Sequence, residues 1–253
     1  MLKADKVTIR FGGLTAVNEV SLHVKPHQIT GLIGPNGAGK TTFFNCISGV
    51  YRPNSGKVIF DGKEIQGMRG YQINKAGIAR TYQVINLFRK MSVLENVLVG
   101  MHSRLNAGYF SSLLRTPAQR REEEKACEVA HEWIKFAGLE QKVHDAAGSL
   151  SYGEQRLLEI IRGLASSPKL ILLDEPAAGM NSREKMELDK TLHQILDKGV
   201  TILMIEHDMK LMMGIADYIY VLDYGKLLAE GVSAEVQQNP DVIKAYLGGG
   251  ERK

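Results

Sequence analysis

The chain has 253 residues, 44% hydrophobic and 24% charged, with a net charge of +4. That length suits one α/β domain with a small appended lobe and leaves no room for a second full domain. The charge is mild enough to read as dispersed and solvated, and no segment approaches the roughly 18 to 20 consecutive apolar residues of a membrane-spanning helix.

The start, Met1-Leu2-Lys3-Ala4-Asp5, has no apolar signal core, which predicts a protein that stays in the cytosol. Val7–Ile9, Ser21–Val24 and Val58–Phe60 read as short strands bounded by Gly, Pro and Asn turns, and predict a small antiparallel layer. Ile29–Ile33, Leu170–Leu173, Val200–Ile205 and Tyr218–Leu222 are short apolar runs separated by helical patterns such as Thr41–Ser48 and Ser182–Asp197. Such alternation predicts a mainly parallel sheet covered by helices. From about Asn86 to Ser149 strand patterns stop. Thr116-Pro117 opens a helix there as N-cap and first-turn proline, with an apolar stripe of Ala126, Val129, Ala130, Trp133, Ile134 and Ala137 before Gly138. The organisation expected is a catalytic core of residues 1–85 and 150–253 around a helical lobe at 86–149. Cys46 and Cys127 lie far apart in helix-like segments, as reduced core thiols would. The tail Gly248-Gly249-Gly250 is expected to fray.

Three motifs carry chemistry. Gly34-Pro35-Asn36-Gly37-Ala38-Gly39-Lys40-Thr41 follows the apolar strand Ile29–Ile33 and matches G-x-x-x-x-G-K-[ST]. Glycines let successive N–H groups face phosphate oxygens, and the helix that follows adds its positive N-terminal end. Lys40 would reach the β- and γ-phosphates and the Thr41 hydroxyl would hold Mg²⁺. Leu170–Leu173 ends in Asp174-Glu175-Pro176, the form of a Walker B strand: Asp174 would hold Mg²⁺ and Glu175 would polarise an attacking water. Leu150-Ser151-Tyr152-Gly153-Glu154-Gln155 contains S-x-x-E, a capping box for the helix carrying Leu157, Leu158 and Ile161. A serine, a glycine and free N–H groups at a helix start also suit a γ-phosphate, and both readings hold together.

That last segment resembles the L-S-G-G-Q signature of the ATP-binding cassette (ABC) ATPases, with Tyr152 in place of the first glycine. The family implies an α/β P-loop NTPase fold with an antiparallel β layer and an inserted helical lobe. It further implies that Phe11 stacks on adenine, that Val17 and Thr42 join the nucleotide site, and that Gln83 in Ala79-Arg80-Thr81-Tyr82-Gln83 links Mg²⁺ and the attacking water to the lobe. His207 in Ile205-Glu206-His207-Asp208 would contact the γ-phosphate. Catalysis would thus fall to Glu175, His207, Gln83, Lys40 and a Ser151, with Gly153, supplied by the opposite subunit. Ala177-Ala178-Gly179-Met180-Asn181 departs from the family pattern, with Asn181 where many members have Asp, which opens the question of the contact made there.

Arg10–Val17, Ile78–Gln83, Glu175–Asn181, Ile205–Met209, Asn239–Gly248 and the inserted stretch Gly100–Arg121 are similar to ATP-binding subunits of bacterial branched-chain amino acid importers. The resemblance implies ATP and Mg²⁺ as ligands, a homodimer or a heterodimer with a sister ATPase, and integral permease subunits. It also implies an indirect link to a periplasmic or extracellular substrate-binding protein, and a peripheral position on the cytoplasmic face of the bacterial inner membrane. Two alternatives stay open: the ATPase of another transporter, such as a lipopolysaccharide exporter, or a non-transport ABC protein acting on nucleic acid. The latter usually carries tandem cassettes, zinc modules or long coiled coils, and none is present, so no nucleic-acid partner is expected.

Overall fold

Two sheets form the frame of the computed structural model, which describes residues 1–102 and 117–247. The first is antiparallel, in the order β2-β1-β4-β5, from β1 (Leu2–Phe11), β2 (Leu14–Val24), β4 (Ser55–Phe60) and β5 (Lys63–Glu64). Its strands are longer than their apolar cores suggest. One face is solvated, so polar residues alternate with Leu2, Ala4, Val17 and Val20, and register shifts between Ala4 and Val7 and near Ile9 break the period further.

The second sheet has the order β10-β9-β3-β8-β7-β6, with β3 (Ile29–Ile33), β6 (Ile78–Arg80), β7 (Leu170–Asp174), β8 (Thr201–Ile205), β9 (Tyr218–Asp223) and β10 (Lys226–Gly231). All neighbours run parallel except the edge pair β9–β10. Every residue of β3, β7 and β8 is buried, because helices or the other sheet cover both faces. The register pairs Leu32 and Asp174 with the same Ile205. The chain segments leaving β3, β7 and β8 therefore emerge side by side on one edge, where ligands bind in parallel α/β sheets.

Between the sheets lies α1 (Lys40–Ile47), whose Phe43 and Phe44 are fully buried beside Leu2, Val20 and Leu172. Burying two such rings contributes about 3 to 6 kcal/mol. On the far face α5 (Tyr152–Leu164), α6 (Ser182–Asp197) and α7 (Met209–Ile215) pack Ile160, Leu188, Leu192 and Met212 against Ile171, Ile202 and Met204. A third cluster joins α3 (Val93–Met101), α4 (Pro117–Phe136) and α5 through Val97, Ala130, Ile134, Leu158 and Ile161. One helix, α5, thus gives one side to the sheet and another to the helical cluster. The shorter helices are α2 (Gly70–Ala76), α8 (Ser233–Gln238) and α9 (Pro240–Leu247).

The stripe expected on the long middle helix faces this third cluster, with Ala126, Ala130 and Ile134 buried and Gly138 closing the turn at φ 68°. Thr116 as its N-cap, most of the inserted stretch and the glycine tail lie outside the described residues. Among the described residues both cysteines are free thiols, and no helix is long and apolar enough to cross a membrane.

Candidate functional site

The loop after β3 is shaped by glycines that no other residue replaces. Gly34 has φ 148°, and a Cβ there would lie 2.1 Å from the Leu222 carbonyl oxygen. Gly39, the residue before α1, has φ 96°, and its Cβ would lie 2.5 Å from the Ala16 oxygen. The loop thus runs against the Ala16 carbonyl of β2 and the Leu222 carbonyl of β9, and the Ala38 amide donates to the Pro35 carbonyl at 3.2 Å within it. Lys40 is 5% exposed, and its ammonium donates to the Gly34 and Pro35 carbonyls at 2.8 and 2.9 Å. Burial lowers its pKa, while Glu175 and Asp174 pull the other way.

Asp174, at the end of β7, has a side chain 2% exposed and paired with Arg80 at 3.0 Å. Burial raises its pKa and Arg80 opposes that shift. Arg80 is anchored in turn by Asn45 Oδ1 at 2.8 Å and Ser48 Oγ at 2.6 Å, so β6, α1 and β7 meet in one buried polar cluster. The other oxygen of Asp174, Oδ1, is buried with no hydrogen-bond partner among the described residues. A buried orphan acceptor beside a hydroxyl-bearing phosphate loop fits a hard cation: Thr41, Asp174 and Gln83 offer oxygen donors, which suit Mg²⁺.

Glu175, one residue on, has φ 50°, and its amide donates to the Ile205 carbonyl at 2.9 Å. That left-handed backbone costs a non-glycine residue about 1 to 3 kcal/mol and turns the carboxylate out of the sheet. Gln83 Nε2 donates to one of its oxygens at 3.0 Å, and His207 Nε2 meets the other at 2.7 Å. The carboxylate is thereby aimed from both sides. Glu206, 3% exposed, braces the same corner by accepting from the Ala177 and His207 amides at 2.7 and 3.2 Å.

These groups border a cleft of about 520 Å³ whose walls include Asn36 to Thr42, Gln83, Glu175 and His207. Phe11 also lines it, 44% exposed and edge-on to Tyr51 with ring centroids 5.1 Å apart. Val17 is fully buried behind Gly39, and its neighbours Thr15 and Ala16 face the cleft instead. Gly34 and Pro35 contribute their carbonyls to Lys40 from behind the loop.

Ser151 and Gly153 are not part of this cleft. They border a second hollow of about 330 Å³ with Asn181 and Glu184. Ser151 is exposed and caps α5: its amide donates to Glu154 Oε2 at 3.0 Å and its Oγ accepts from the Glu154 amide at 3.4 Å. Tyr152 leans on Gly179, and a Cβ at Gly153 would come 3.0 Å from Glu184 Oε1, a tight contact with the tip of a flexible side chain. Asn181 is the N-cap of α6, accepting from the Arg183 and Glu184 amides at 2.9 and 3.0 Å.

Sequence reasoning did not assign Arg80, Glu206, Tyr51 or Tyr224, which lines the cleft from the β9–β10 turn. Arg80 and Glu206 stood inside motifs already singled out; a charged residue ending an apolar strand was the available signal. Tyr51 and Tyr224 carried none.

The ABC transporter family matches residues 17–178, and a branched-chain amino acid ATP-binding cassette transporter family matches residues 226–252. The chain is 48% identical over 249 residues, 98% of each chain, to the high-affinity branched-chain amino acid transport ATP-binding protein LivG of Salmonella typhimurium. It superposes with a TM-score of 0.86 and 32% identity on the ADP conformation of an ATP-binding cassette of an ABC transporter, covering 98% of both chains. A dimeric post-hydrolysis ATP-binding cassette bound to ADP and Pi is 25% identical with a TM-score of 0.76, over 92% of this chain and 99% of that one. With a matching fold, a P-loop cleft and a LivG-like sequence along its whole length, the chain belongs to the ABC transporter family as an ATP-binding, ATP-hydrolysing subunit of the LivG group.

Proposed function

We propose that this chain powers uptake of branched-chain amino acids through separate permease subunits, working as one half of an ATPase pair on the cytoplasmic face of the bacterial membrane. The observation that carries the reading is the Gln83–Glu175–His207 arrangement beside the phosphate loop. A carboxylate fixed from both sides can take a proton from a water aimed at the γ-phosphate, with His207 donating through a protonated Nε2 and holding the geometry. Lys40 leaves its two carbonyls to neutralise phosphate charge. Phe11 stacks on adenine, and Thr42 extends the cradle of amides and hydroxyls that begins at Asn36. Thr41, Asp174 and Gln83 would hold Mg²⁺, which when bound supplies charge neutralisation of the phosphates.

Ser151 and Gly153 border a hollow separate from their own chain's cleft, and in this reading they serve the site of the opposite subunit, so each ATP needs two chains. The dimeric cassette bound to ADP and Pi supports this arrangement. A surface for the permease is offered by the segment Asn86–Arg89, where Phe88 is 50% exposed and Arg89 is exposed. Glu175→Gln is expected to keep ATP and lose hydrolysis by about 100-fold or more, since it removes proton acceptance and leaves the cradle intact. Near wild-type turnover would remove Glu175 from its role. Phe88→Ala with Arg89→Glu should abolish import in vesicles reconstituted with the permease while leaving ATP binding unchanged; normal import would move the docking surface elsewhere.

A further inference from the structure

Arg156 and Glu159 form an ion pair on α5 with side chains 0% and 1% exposed, and neither borders the nucleotide cleft. Arg156 Nη1 donates to the Tyr82 carbonyl and to Glu159 Oε2, both at 2.8 Å, and Nη2 donates to the Gln83 carbonyl at 2.8 Å. Glu159 Oε1 accepts from the Asn86 amide at 3.2 Å. One helix turn thus holds the backbone from Tyr82 to Asn86 at three points. A buried ion pair is a poor source of stability, because taking both charges out of water offsets their attraction, and two well-packed apolar side chains would serve as well. What the planar guanidinium fork supplies is direction: it fixes two consecutive carbonyls relative to the helix axis, which a point charge cannot do.

The two ends of this connection matter. At one end the Gln83 side chain holds Glu175. At the other, α5 is capped by Ser151, five positions before Arg156 in the sequence. A continuous set of contacts runs from the Glu175 carboxylate through the Gln83 side chain and carbonyl to Arg156, and along a rigid helix to the exposed serine. We propose that Arg156 and Glu159 are positioning residues that lock the Gln83 segment to the Ser151 helix, so that a change at one chain's ATP site moves the serine it presents to the partner's site. The proposal rests on the reading of the ATP site above, with Gln83 in the cleft and Ser151 acting across the dimer. Its consequence is cooperativity between the two sites, carried by a contiguous network with two ends.

The test is Arg156→Lys in the full-length protein, which keeps the charge beside Glu159 but cannot hold both carbonyls. Equilibrium ATP affinity should stay within about twofold, kcat should fall about tenfold or more, and the Hill coefficient for ATP should drop toward 1. Leu158→Val, on the same helix and fully buried, controls for lost stability: it should lower Tm without changing the Hill coefficient. The proposal is overturned if Arg156→Lys keeps wild-type kcat and cooperativity, if Leu158→Val reproduces its effects, or if the wild-type Hill coefficient is itself near 1. Glu175→Gln in the same assay keeps the two readings apart. If it is inactive while Arg156→Lys is normal, only the clamp fails; if it turns over normally, the site reading fails.

Discussion

Lys40 shows how far single residues could be read. The motif assigned it to phosphate, and the structure adds that its ammonium is buried and held by two carbonyls of its own loop, bonds it must exchange to reach a phosphate. Lys40→Ala is expected to weaken ATP binding about tenfold or more and abolish turnover, checked by calorimetry and phosphate release; it removes charge needed in both ground and transition states. Glu175 was legible as the second acid after an apolar strand, but its two supports were not legible as partners, since Gln83 and His207 lie 92 and 32 positions away and only sheet register brings them in. Cys46 offers an independent check of the core: burial pushes its thiol up to about 12 from 9.0. The native state favours the neutral thiol, so the stability it contributes is full below pH 9 and is lost only as pH rises toward 12. Thiol-specific alkylation at pH 8 should therefore modify the half-buried Cys127 first and reach Cys46 only on unfolding; rapid native labelling of Cys46 would contradict its placement.

At the scale of elements, legibility followed helix length and capping. α6 runs from Ser182 to Asp197, the span expected from its period, because a cap residue and a sustained apolar stripe mark both ends. β6, with three residues, and α8, with six, are too short to show a period, and tertiary pairing alone defines them. The departure from the family pattern at Asn181 also has an answer here: Asn181 caps α6 through two backbone amides, work that aspartate does equally well. Asn181→Asp should change stability by less than about 0.5 kcal/mol and Asn181→Ala should cost about 1 kcal/mol, read from denaturant midpoints. The α5 cap predicts a pH dependence. Glu154 is held below its ordinary value of 4.5 first by its hydrogen bond from Lys142 and then by the Ser151 amide and hydroxyl. A depressed carboxylate contributes stability above its unfolded value and loses it as pH falls through the folded one, so the effect belongs below about pH 4.5. Glu154→Gln should flatten the acid limb of the Tm profile and cost under about 1 kcal/mol at pH 7, because glutamine still accepts from the Ser151 amide and the bridge is partly exposed.

For the whole molecule, alternation of apolar runs and helical periods was enough to read a parallel core beside an antiparallel layer, since those patterns follow from which faces are covered. The need for a second chain was legible only through the family resemblance. No local pattern says that Ser151, exposed at the start of α5, lies apart from the cleft that holds Lys40, Gln83, Glu175 and His207. That separation makes the account's central claim, ATP hydrolysis completed across a dimer, open to direct measurement. Lys40→Ala and Ser151→Arg subunits each form homodimers with two defective sites. A mixture also contains heterodimers with one doubly defective site and one intact site. The account predicts that ATPase activity, absent from either mutant alone, returns to a fraction of wild type on mixing. No recovery with heterodimers demonstrated, together with a wild-type specific activity unchanged on dilution to monomers, would contradict it.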